Sequence, residues 1–132
     1  MPDTGKLLVG RRILLVEDEY SIAVEMERWL IEAGAKVLGP VPSVEQAVEL
    51  IGEEMVGLDG AVLDINLGEG ETVYPVADRL NELGVPYLFT TGDMRIGGNP
   101  AHRERPRLAK PVLRAELITA IANLLHSQAR TV

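Results

Sequence analysis

Five side chains in this sequence could do phosphoryl chemistry if the fold brings them together: Glu17, Asp18, Asp64, Thr91 and Lys110. Singly, each has an ordinary use. The run Glu17-Asp18-Glu19 suits the positive end of a helix dipole. Asp64 could accept backbone hydrogen bonds in a turn, Thr91 could close a strand, and lysines like Lys110 are mostly solvated. Together they make a different case. Carboxylates gathered at one edge repel, and two charges about 5 Å apart at an effective dielectric near 20 cost roughly 3 kcal/mol. A divalent cation would relieve that cost, and an all-oxygen set completed by water suits Mg²⁺. A carboxylate beside such a cation is a nucleophile toward phosphorus, giving an aspartyl phosphate. The lysine would neutralise the phosphoryl oxygens, and the Thr91 hydroxyl would bond another of them.

These residues are far apart in the chain, so secondary structure must bring them to one edge. Short apolar runs at 11–16, 36–41, 60–65 and 85–90 have the length and flanks of buried strands, and 107–109 is a very short fifth. Between them lie segments of helical spacing. In 21–34, Ile22, Met26, Trp29, Leu30 and Ala33 face inward, Gly34 is the stop, and Ser21 or Asp18 is placed to cap the start. Ser43 and Gln46 form a capping-box signature before the stripe Val44, Ala47, Val48 and Ile51. Pro75 suits the first turn of a helix ending at Gly84, with Val76, Leu80 and Leu83 inward. Leu113, Leu117, Ile118, Ile121, Leu124 and Leu125 line a final helix.

The stretch 92–107 breaks the pattern. Its glycines, prolines and charges leave room for no more than a short helical turn, before Gly97 or after Pro100. Strand and helix alternate five times, which implies an α/β, doubly wound, five-stranded parallel sheet with right-handed crossovers. Ligands gather at the carboxyl ends of strands in such sheets. That is where Glu17, Asp18, Asp64, Thr91 and Lys110 fall.

Composition closes other routes. Without cysteine there are no disulfides, thiolate metal sites or cysteine nucleophile. His102 and His126 are far apart and form no zinc motif. A net charge of −7 argues against nonspecific nucleic-acid binding. No apolar run is long enough to span a bilayer and no signal pattern opens the chain, so a cytoplasmic protein that binds no membrane is expected. The 132 residues suit one domain. The expected division is a loose N-terminal tail over 1–10, a folded domain over 11–128, and no separate output domain.

The segments ILLVEDE, VLDINLG, FTTG and LAKP, in this order at the strand ends, resemble the receiver domain of two-component response regulators. The resemblance covers roughly 11–127. It implies a flavodoxin-like (βα)5 receiver with a shortened or irregular fourth helix, and Asp64 as phosphoacceptor. It implies Asp18 as a direct Mg²⁺ ligand, Glu17 as a ligand through water, and a metal bond from the backbone carbonyl of Asn66. Thr91 would be the switch hydroxyl, Lys110 the phosphate-binding cation, and Lys110–Pro111 a cis peptide. The phosphoryl group would come from a histidine kinase or histidine phosphotransfer protein. An unknown output protein would receive the signal, unless the domain serves as a phosphate sink. The domain would catalyse only its own phosphorylation and dephosphorylation, as a monomer or a phosphorylation-dependent dimer.

Phe89-Thr90-Thr91-Gly92 and 107–111 are further similar to the single-domain "FAT GUY" subgroup, with Thr90 in place of its alanine and Met94 in place of its aromatic. Arg107 and Val112 stand where many receivers have aromatics, which points away from an aromatic reporter and toward an order change across 92–107. Asn66 and Asp93 would flank the path of a hydrolytic water and favour moderately fast self-dephosphorylation. His102–Arg107 reads as a solvated loop, with a docking surface for an acidic partner as the alternative. Two other functions are carried: a receiver-like binding module independent of phosphate, and an aspartyl-phosphate hydrolase. Against the hydrolase, Asn66 stands where a general acid would be needed.

Overall fold

The computed structural model describes residues 7–54, 57–93, 100–102 and 104–130, with 54, 100 and 128–130 as backbone only. Five strands form one parallel sheet: β1 Arg12–Val16, β2 Lys36–Val41, β3 Gly60–Asp64, β4 Tyr87–Thr91 and β5 Arg107–Ala109, in the order β2-β1-β3-β4-β5. The four α-helices among the described residues are α1 Tyr20–Glu32, α2 Val44–Glu54, α3 Tyr74–Glu82 and α4 Arg114–Arg130. The expected α/β doubly wound architecture is therefore present. Between β4 and β5 the one helical turn among the described residues is a 3-10 turn at Pro100–His102; 92, 93 and 104–106 are irregular, and 94–99 and 103 lie outside the described residues.

Two apolar clusters sandwich the sheet. Ile13, Leu15, Val62 and Leu88 pack with Met26 and Leu30 of α1 and with Leu117, Ile118 and Ile121 of α4. Leu14, Val16, Leu63, Tyr87 and Phe89 pack with Ala47 and Ile51 of α2 and with Val76 and Leu80 of α3. Alternation along each strand sends successive side chains to opposite faces, so both faces of the central strands β1, β3 and β4 are covered and these strands are buried almost throughout. No helix among the described residues is long and apolar enough to cross a membrane.

Several local expectations are corrected. Residues 7–10 do not trail from the domain. They form a turn that places Leu8 at 0% exposure beneath α1, with the Leu8 N–H donating to the Ala33 carbonyl at 2.9 Å. Neither Ser21 nor Asp18 caps α1; its N-cap is Glu19, with no side-chain bond. Val48 and Leu113 are 39% and 68% exposed, because α2 turns Leu50 inward instead and α4 begins one residue after Leu113. Ser43 does cap α2, accepting from the Gln46 N–H at 3.2 Å. β4 begins two residues later than expected and ends one residue later, at Thr91. Lys110–Pro111 is cis, and so is Gly39–Pro40 in β2.

Candidate phosphoacceptor and metal site

The strand order reverses between β1 and β3, which opens a crevice at their carboxyl ends. Glu17 and Asp18 follow β1 directly, and Asp64 ends β3. Their side chains converge: one oxygen from each of Glu17, Asp18 and Asp64 lies within 4.8 Å of the others. Glu17 and Asp64 are buried, while Asp18 reaches solvent. Lys110, just past β5, sends its ammonium across the sheet to 3.2 Å from Asp64 Oδ2. The same nitrogen donates to Glu17 Oε2 at 3.1 Å. It lies equally near Oε1, but outside hydrogen-bond geometry. Two buried carboxylates thus share one cation.

That balance is incomplete. Burial, then the charge and hydrogen bond of Glu17, push the Asp64 carboxyl up to about 8, although Lys110 pulls it back. For Lys110 burial works against the charge, but the two carboxylates outweigh it and hold the ammonium above its ordinary value. Glu17 Oε1 is buried with no hydrogen-bond partner among the described residues. Excess negative charge, a buried carboxylate oxygen that is ion-paired but not hydrogen-bonded, and all-oxygen donors together fit a hard divalent cation.

The loop after β3 completes the wall. An antiparallel bridge joins Asn66 to Thr72. Its flanking bonds run from Val73 N–H to the Ile65 carbonyl and from Leu67 N–H to the Glu71 carbonyl, both at 2.9 Å. They leave the Asn66 carbonyl outside the ladder. Gly68, Glu69 and Gly70 all have positive φ. A Cβ on Gly68 would stand 3.3 Å from Asp18 Oδ2, so this glycine lets the loop lie against the acidic cluster.

Thr91 lies at the same edge, buried, but its hydroxyl is turned to its own loop. It accepts from the Asp93 N–H at 3.2 Å and faces the Asp93 carbonyl at 3.4 Å. Asp93 is therefore tied to Thr91. Of the five residues singled out, Glu17, Asp18, Asp64 and Lys110 meet directly, and Thr91 borders them.

His102 was expected on a solvated basic loop. It is instead 3% exposed. Its Nδ1 bonds the Tyr87 hydroxyl, and its Nε2 lies 2.8 Å from Asp78 Oδ1 on α3. The ring stacks on Tyr74 at 5.8 Å between centroids. Arg105 covers the Tyr87 ring at 4.4 Å and donates to Asn81 at 3.1 Å. These contacts fasten the connection between β4 and β5 onto α3. The only signal for them in the sequence is a histidine and a tyrosine able to pair once tertiary structure brings them together.

No family model matches the sequence, and no curated protein matches it. Solved structures do. SdrG from Sphingomonas melonis Fr1 is 36% identical, with 87% of this chain and 96% of that chain covered and a TM-score of 0.75. A response regulator receiver protein from Sinorhizobium medicae WSM419 is 28% identical, with 89% and 96% covered and a TM-score of 0.76. The response regulator PhyR from Brucella abortus, at 23% identity and a TM-score of 0.80, shares the fold over 96% of this chain and 53% of its own. These neighbours include response-regulator receiver domains, and the chain has their α/β, flavodoxin-like receiver fold.

Proposed function

We propose that the chain is a response-regulator receiver that takes a phosphoryl group onto Asp64 from a histidine-phosphorylated protein. The observation that carries this reading is the Glu17–Asp18–Asp64 cluster, with Lys110 bridging Glu17 and Asp64. In the transfer, the donor's P–N bond breaks and a P–O bond to an Asp64 oxygen forms. The imidazole leaves and takes a proton.

Glu17, Asp18, Asp64 and the Asn66 carbonyl are the groups that would hold Mg²⁺. A bound Mg²⁺ supplies charge neutralisation of the carboxylates and of the phosphoryl oxygens. Lys110 orients the incoming phosphoryl group and offsets its charge. To bond a phosphoryl oxygen, the Thr91 hydroxyl must turn its proton away from the Asp93 carbonyl, which ties modification to the start of the β4–β5 connection. Phe89-Thr90-Thr91-Gly92 and the irregular connection support the single-domain "FAT GUY" subgroup. The −7 charge supports a protein without nucleic-acid partners.

Incubation with a small phosphodonor and Mg²⁺ tests this. The reading expects the mass of one phosphoryl group to be gained by the native chain and not by Asp64→Asn. No gain in either would point to the phosphate-independent binding module, and rapid multiple turnover to the hydrolase.

A further inference from the structure

One buried polar group near the site has no use in the reading above. Thr90 is fully buried, and its hydroxyl has no hydrogen-bond partner among the described residues. Leaving a hydroxyl unpaired in an interior is costly, so such a group calls for an explanation.

The sheet register supplies one. Thr90 pairs with Asp64 on β3 and with Leu108 on β5. Paired residues of neighbouring strands project to the same face. That face is the one covered by α1 and α4, because Leu88, two residues before Thr90, packs there beside Val62, two before Asp64. Lys110 lies two residues past Leu108, and its ammonium reaches Asp64 Oδ2. β4 runs between β3 and β5. On this face, at this level, β4 presents Thr90. The register thus sets Thr90 on the strand between Lys110 and the Asp64 carboxylate that its ammonium reaches.

We propose that Thr90 is a positioning residue for Lys110. At present Glu17 and Asp64 hold the ammonium. A cation bound to those carboxylates competes for the same oxygens and frees an N–H of Lys110. The Thr90 hydroxyl then accepts that N–H and keeps Nζ over the site, ready for a phosphoryl oxygen. The hydroxyl is unpartnered because its partner is committed elsewhere until the cation binds. This inference rests on the reading of Glu17, Asp18 and Asp64 as a cation site.

The test compares the native chain with Thr90→Val, which keeps the shape, and Thr90→Ser, which keeps the hydroxyl. Mg²⁺ affinity is measured by calorimetry, and the Lys110 ammonium is followed by ¹⁵N NMR. One hydrogen bond predicts Mg²⁺ binding about threefold to tenfold weaker in Thr90→Val, with Thr90→Ser within about twofold of the native chain. The Lys110 ammonium signal of the Mg²⁺-loaded protein should shift in Thr90→Val and be restored in Thr90→Ser. Without Mg²⁺, Thr90→Val should be at least as stable to urea as the native chain, since it removes an unpaired group. If Thr90→Val does not fold, Thr90→Ala against Thr90→Ser carries the same comparison. Equal Mg²⁺ affinity across the variants, or an unmoved Lys110 signal, overturns the inference alone. A native chain that binds no Mg²⁺ overturns both the inference and the cation-site reading.

Discussion

Asp64 carries an electrostatic cost from its burial beside Glu17, and that cost can be measured. Its carboxyl is held near 8 in the folded chain, against an ordinary 3.8. Between those values the native state binds a proton that the unfolded state has lost. Stability must therefore fall as pH rises through that window. For protein freed of divalent ions, urea midpoints should decline from about pH 5 to pH 8 more steeply than those of Asp64→Asn. Parallel profiles would show that Asp64 ionises freely. At this scale the sequence was informative: a lone aspartate or lysine at the end of an apolar strand can be read without a structure. The Asn66 carbonyl and the Thr91–Asp93 bonds could not be read so directly, because they depend on loop conformation.

Elements explain why the site sits where it does. Adjacent parallel strands β1 and β3 deliver their carboxyl ends side by side, and β5 brings Lys110 from two strands away. Apolar runs and helical periodicity made these elements legible. The connection between β4 and β5 was not, because glycine, proline and charge resemble a solvated loop whatever holds them. Here tertiary pairing prevails: His102 spans Tyr87 on β4 and Asp78 on α3. Replacing His102 with Ala removes a buried ring and two polar contacts, and should cost about 2–4 kcal/mol in urea unfolding. A loss below about 0.5 kcal/mol, as for a surface residue, would mean that the connection is not fastened this way. Thr91 ends the same strand that carries Tyr87.

Across the whole molecule, two apolar layers hold a rigid sheet beneath one charged edge. The N-terminal turn is part of that frame. Leu8 closes the layer under α1, although a polar, glycine-containing N-terminus gave little sign of it. Leu8→Ala should lower stability by about 2–4 kcal/mol, and a neutral result would return 7–10 to the status of a tail.

The central claim is that this frame presents Asp64 as the phosphorylated residue. Aspartyl phosphate is reduced by borohydride to homoserine, which marks the modified position permanently. After treatment with a phosphodonor and Mg²⁺, reduction and peptide mapping should find homoserine at position 64. Omitting Mg²⁺ should abolish it. An unaltered Asp64, or homoserine at another aspartate, would contradict the account.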